Sequence, residues 1–198
     1  MKKALFLAIT VILVLIAGCT TTSPSNSATV AVTAVTPTPT LVIPAGALPM
    51  DASVRLGNDT HSITVSICNV SSCEGTPGFS IDPLTSSGKQ TLSVYVNARN
   101  TGKDLIRYTW FSKLTDLNGN SYGGIGLSHG GYGARMFWRS PGQSEEARDY
   151  VDVSNQSLAE LSQGAILDVY FMEYKQNQTL SLIPDYHVTW VVNPGVII

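Results

Sequence analysis

The sequence predicts an all-β fold, an antiparallel sandwich of about seven strands with one short helix, occupying residues 53–198. Three observations carry that prediction. From Ser53 onward the apolar residues recur at every second position, the period of strands buried on one face. Turn-forming pairs, Asn118-Gly119 and Pro141-Gly142, punctuate the alternating runs. A single helix-start signal with a matching stop stands near Ser157. Short strands separated by turns build two packed sheets.

The strands follow in order. In His61 to Ile67, Ile63, Val65 and Ile67 share one face, with Ser62, Thr64 and Ser66 on the other. Thr91 to Ala98 sets Leu92, Val94 and Val96 against Ser93, Tyr95 and Asn97. Ile106 to Leu114 sets Ile106, Tyr108, Trp110 and Leu114 against Arg107, Thr109 and Lys113. Ala134 to Trp138 places Met136 and Trp138 opposite Arg135 and Arg139. Arg148 to Val153, Ile166 to Tyr174 and His187 to Val192 complete the set, the last presenting Val188, Trp190 and Val192. The helix is expected to begin at Ser157, where Glu160 three residues on makes a capping box, and to stop at Gly164.

The first eighteen residues read differently. Lys2 and Lys3 precede an apolar run from Ala4 to Ala17, broken by Thr10 alone, and Ile16-Ala17-Gly18-Cys19 closes it. A positive start, a short apolar stretch and small residues before a cut site make a secretory signal. The run is too short for a spanning helix, which needs about 20 residues. The ending resembles a lipobox, the motif of prokaryotic lipoproteins, which implies that Cys19 is lipidated and becomes the mature N-terminus. Residues 19–52 are rich in Thr, Ser and Ala, with a Thr36-Pro37-Thr38-Pro39-Thr40 repeat and no periodicity. They read as a disordered tether. Cleavage removes two lysines and moves the formal charge from −2 to −4, far from the basic balance that phosphate binding requires. With Cys19 assigned to a lipid, Cys68 and Cys73 remain as an even pair. In an oxidising compartment they are expected to form a disulfide. The alternative, a metal site, has two thiolates but no second pair or histidine beside them.

An apolar strand ending Asn97-Ala98-Arg99-Asn100-Thr101-Gly102, an aromatic strand, then Asp116-Leu117-Asn118-Gly119-Asn120-Ser121-Tyr122 and a Pro141-Gly142 turn form a recognisable series. Over Val94 to Val153 the chain resembles the uncharacterised immunoglobulin-like domain of bacterial and archaeal surface lipoproteins. That resemblance implies an immunoglobulin-like sandwich without catalysis, and it brings no site residues. The glycine-rich stretch from Gly123 to Gly133 departs from the family pattern.

Candidate chemistry gathers in that stretch. Gly126-Leu127-Ser128-His129-Gly130 matches the G-x-S-x-G nucleophile elbow, with Asp168 or Asp185 and then His187 in permissible order for a triad. The elbow needs a buried strand before it and a helix after it, and here a turn precedes and Gly130, Gly131 and Gly133 follow. The same stretch could serve as a ligand loop presenting Tyr122, Ser128, His129 and Tyr132. Asp116, Asn118 and Asn120 have the spacing of calcium-loop oxygens, but glycine sits at the fourth position and Leu127 at the twelfth, so a hairpin turn is the preferred reading. His61, His129 and His187 lack ligand spacing, and Glu145-Glu146 reads as a solvated charge pair. Four N-x-S/T sequons, at Asn58, Asn69, Asn155 and Asn177, fall in strand ends or loops where a glycan fits.

These readings lead to a non-enzymatic, lipid-anchored protein on the extracytoplasmic face of a membrane. No cofactor, metal or nucleic acid is expected, and the partner is a protein, a glycan or the envelope itself. The alternatives are a ligand- or substrate-binding lipoprotein using Gly123 to Gly133, and a serine hydrolase using Ser128.

Overall fold

A computed structural model describes residues 41–198 except 70, 72, 83–89, 125–134, 174–183 and 198, with the backbone alone for 135–138. The elements are β1 (Leu48–Pro49), β2 (Ser53–Gly57), β3 (Ser62–Ile67), β4 (Phe79–Asp82), β5 (Gln90–Asn100) and β6 (Ile106–Asp116). They continue with β7 (Ser121–Gly123), β8 (Arg135–Arg139), β9 (Ser144–Val153), α1 (Asn155–Leu161), β10 (Ala165–Glu173) and β11 (Tyr186–Val192).

These strands form two sheets, one of six strands and one of five, each built on a single eleven-residue strand. One edge of β5 is paired throughout by β9, while the other is shared by β3, opposite 96–100, and β4, opposite 91–94. β6 repeats the arrangement. β10 covers one edge, and β7 and β8 divide the other, opposite 113–115 and 106–110. β11 pairs with β10, and β1 adds to β11 in parallel. The pairings β5–β9 and β6–β10–β11, in chain order, are the B–E and C–F–G pairings of an immunoglobulin sandwich.

The alternation read from the sequence is what the interior uses. Ile63, Val65, Ile67, Leu92, Val94 and Val96 from one sheet meet Tyr108, Trp110, Leu114, Leu167, Phe171 and Trp190 from the other. All are essentially inaccessible to solvent, and each large side chain so buried contributes about 1.5–3 kcal/mol. Trp110 lies 6.3 Å from Phe171, centroid to centroid, and the Trp190 indole N–H donates to the Ala52 carbonyl.

Several expectations need correction. The sandwich has eleven described strands rather than about seven: β1, β4 and β7 are too short to show a period, and β2 alternates, with Val54 and Leu56 toward the core, but over five residues only. It also begins before residue 53: Leu48 pairs with Trp190 and, like Met50, packs on the core. The helix is capped by Ser154, whose hydroxyl accepts from the Ser157 N–H, so Ser157 lies inside the first turn. β9 starts four residues earlier than expected and takes up Glu145-Glu146. Glu145 is no solvated charge, since it pairs with Arg139 at 2.8 Å. Burial pushes its pKa up, although Arg139 opposes the shift.

Candidate functional site

The two long strands each leave a gap where their shared edge passes from one short partner to the next. On β5 the gap is at Tyr95, whose carbonyl accepts from Cys68 N (3.0 Å) and whose N–H donates to Gly78 O (2.9 Å). The chain between them forms an excursion clipped by the Cys68–Cys73 disulfide. On β6 the gap is at Ser112. Its carbonyl accepts from Gly124 N at 2.8 Å, but its N–H and hydroxyl both donate to Asp149 Oδ2 of the facing sheet, each at 2.7 Å. Asp149 therefore stands in for a strand carbonyl. The excursion that leaves at Gly124 and rejoins at Arg135 is the glycine-rich stretch.

Of the proposed ligand-loop residues, Tyr122 lies on β7, and Ser128, His129 and Tyr132 fall outside the described residues, as do Cys19 and Asn177. Tyr122 turns inward, with its hydroxyl 3.0 Å from Asp116 Oδ2 and 3.3 Å from Glu160 Oε2, tying the hairpin to α1. Burial raises its pKa, and the Asp116 and Glu160 charges add to the rise against a hydrogen bond from Ser157. Tyr122 is thus a strut, not a displayed contact.

Asp116 is the anchor of that turn. Its Oδ1 accepts from the Asn118 and Asn120 N–H groups at 2.8 and 2.9 Å, and its Oδ2 accepts from the Asn120 amide at 2.9 Å. Burial alone would raise its pKa, but these bonds and the Tyr122 hydroxyl hold it below the usual carboxylate range. With both oxygens so engaged, the Asp116–Asn120 series works as a hairpin lock.

Each outer face has its own charged centre. On the β11–β10–β6 face, Asp168 accepts from Thr189 and His187 at 2.8 Å each and pairs with Lys113 at 3.2 Å. Burial disfavours the Asp168 charge, yet these three partners keep its pKa depressed. The next row is a stack of rings: Phe111 to Tyr170 at 4.8 Å and Tyr170 to His187 at 4.4 Å, nearly parallel. The Asp168–His187 pair considered for a triad with Ser128 therefore exists. It is embedded in this network, with the imidazole against Tyr170. On the opposite face Arg148 pairs with Asp82, donates to Ser93 at 2.7 Å and lies over the Tyr150 ring at 4.5 Å. At one end of the sandwich His61 bridges Glu173 (2.8 Å) and Asp104 (3.3 Å).

Cys68, Cys73 and Glu146 come close enough together to suggest a metal group, but the disulfide leaves no thiolate to ligate. The described sequons, Asn58, Asn69 and Asn155, are all exposed. The sequence reading missed Asp149 and Arg148 as centres and weighed Asp168 only as a triad acid. For Asp149 a signal existed: it occupies an inward position between Ala147 and Val151, where the alternation calls for an apolar residue.

No family model matches the chain, and no curated protein sequence does. Solved structures do resemble it. A candidate lipoprotein, ycdA, from Bacillus subtilis is 14% identical at a TM-score of 0.37, over 72% of this chain and 39% of that one. A DUF1425 family member from Shewanella is 13% identical at 0.34, over 70% and 99% of the two chains. A protein from Archaeoglobus fulgidus is 12% identical at 0.34, over 58% and 92%. The chain spans about two fifths of ycdA. At these scores the neighbours carry no functional argument, and strand pairing alone defines the fold.

Proposed function

We propose that this chain is a lipid-anchored surface protein that displays a non-catalytic immunoglobulin-like sandwich for interaction with a protein, a glycan or another envelope component. The observation that supports it most is the occupation of the charged groups. Asp116, Asp149, Asp168, Arg148 and His61 each hold strands or turns together through the bonds given above, as members of a display scaffold would. The signal-like segment and the Thr-Pro tether ahead of β1 supply the means of display. The anchor in this reading is the lipid on Cys19, which the lipobox-like ending Ile16-Ala17-Gly18-Cys19 supports. Stable attachment calls for more than one acyl chain.

The test is fractionation of cells making the wild-type chain or Cys19→Ser. The wild type should sediment with membranes at its processed size and incorporate a fatty-acid label. The variant should lose the label and move to the medium or stay unprocessed. Retention of Cys19→Ser on membranes at the processed size would refute the reading.

One observation favours a second reading, a ligand-binding lipoprotein. The glycine-rich excursion is held at both ends on β6, by Gly123 opposite Lys113 and Arg135 opposite Trp110, so its base is rigid. Binding loops sit on such bases. Replacing Tyr132 and His129 together should then abolish ligand uptake while leaving the melting temperature unchanged. Should a serine-directed fluorophosphonate label the protein through Ser128, the non-catalytic reading fails.

A further inference from the structure

The three described sequons are alike in sequence and exposure but not in geometry. Asn155 is the first residue of α1. Its Oδ1 accepts from Gln90 Nε2 at 2.8 Å, and the Ser157 hydroxyl lies 2.8 Å from the capping Ser154. Asn69 lies within the disulfide-closed loop: its backbone carbonyl accepts from Cys73 N at 3.0 Å and its Oδ1 from Ser71 N at 3.0 Å, so its sequon also turns back on the hydroxyl-bearing residue, but inside a covalent ring. Asn58 is different. It opens the turn between β2 and β3, and its Oδ1 accepts from Thr60 N at 2.9 Å and His61 N at 2.8 Å. The acceptor amide and the hydroxyl-bearing residue two places on are thereby locked together. Among the described residues the Asn58 Nδ2 makes no hydrogen bond, and the neighbouring Asp59 side chain is 89% exposed.

We propose that Asn58 is a site of N-linked oligosaccharide attachment, singled out from Asn69 because its turn stands on a hairpin that no disulfide encloses, and from Asn155 because its Oδ1 is bonded to the backbone of its own sequon. The chemistry needs the side-chain amide nitrogen as nucleophile. Two N–H donors on Oδ1 fix the amide plane, draw charge from the C–N unit and make the Nδ2 proton easier to remove. The donor is a lipid-phosphate-linked oligosaccharide used by a membrane transferase. Nδ2 forms a bond to the sugar C1, the bond from C1 to the phosphate oxygen breaks with its electron pair staying on that oxygen, and the proton lost from Nδ2 is taken up by the released lipid phosphate. The product adds neutral, hydrated bulk at a hairpin tip, the kind of exposed position where a modification is tolerated. The inference rests on the exported, anchored reading above, since a chain kept inside the cell would not meet such a donor.

The experiment is peptide mass spectrometry on the full-length chain purified from the membranes of its native host, beside Thr60→Ala and Asn58→Gln. Thr60→Ala keeps the backbone N–H and so the turn, which separates loss of the sequon from loss of the fold. The wild-type peptide containing Asn58 should carry a hexose-containing mass that both variants lose, and the Asn69 and Asn155 peptides should be bare. A bare Asn58 on a membrane-bound, processed chain overturns the glycan and leaves the anchor reading standing. Modification at Asn69 or Asn155 but not Asn58 overturns the geometric selection. A chain found unprocessed in the cytoplasm overturns both.

Discussion

The gaps in β5 and β6 pose one problem and receive two solutions. In each, an eleven-residue strand loses its neighbour midway, and a chain excursion must leave and return without stranding a buried backbone group. At Tyr95 the returning chain itself supplies the acceptor, Gly78 O, and a disulfide shortens the excursion. At Ser112, which is 1% exposed, the acceptor is a carboxylate from the other sheet. Both joins also need a glycine. A Cβ on Gly78 would meet Cys68 O at 2.8 Å, and one on Gly123 would meet Ser112 O at 2.7 Å. A covalent clip holds one excursion by itself, whereas a carboxylate makes the other depend on the sheets being packed together.

That difference is open to attack by substitution. The largest effect should come from Asp149→Ala, which removes two charge-assisted bonds and leaves the buried Ser112 N–H unpaired, a loss of about 3 kcal/mol in denaturant unfolding. Asp149→Asn keeps an acceptor and should lose about half of that. If both variants unfold like the wild type, the carboxylate is not what closes the gap. Gly123→Ala comes next at about 2–3 kcal/mol, because φ of +81° and the contact with Ser112 O both oppose a side chain. Gly78→Ala meets a similar contact without the unfavourable φ, so equal losses at the two glycines would show that the contact alone matters. Cys73→Ser should lower stability by about 2 kcal/mol, the loop-entropy value for so short a ring. It should leave amide exchange at Ser112 unchanged, and faster exchange there would mean the two gaps are coupled.

Acid should weaken the β6 side first. Asp116 has a depressed pKa in the folded chain, so its contribution is present above the ordinary carboxylate value of about 4 and is lost as pH falls below it. Between about pH 5 and 3 the wild type should therefore lose more stability than Asp116→Asn, as followed by thermal unfolding. Parallel curves would remove Asp116 as the source. The smallest effect is expected from Tyr122→Phe, about 1 kcal/mol for a hydroxyl that can choose between Asp116 and Glu160.

What could be read in advance follows from the range of each interaction. Ile63, Val65 and Ile67, or Val188, Trp190 and Val192, announce their strands because alternation is a local property of one segment. Asn118-Gly119 announces its turn for the same reason, and Gly119 does take a φ of +84°. β1 could not announce itself: two residues have no period, and Leu48 is in a strand only because Trp190 lies beside it. Glu145 looked like surface until Arg139 faced it across the turn. Tyr122 looked like a displayed aromatic, though Asp116 and α1 hold it inward.

By itself the sequence determined the all-β class, the positions of the long strands, the pairing of Cys68 with Cys73 and the signal-like start. Each is written in neighbouring residues or in a count. The tertiary structure alone decided which strands share an edge, where those edges break and which side chains close the breaks. Ser112 and Asp149 are 37 residues apart in the chain, and no local preference brings them together. Packing one sheet on the other does, and it turns an acidic residue at an apolar position into a substitute for a missing strand carbonyl.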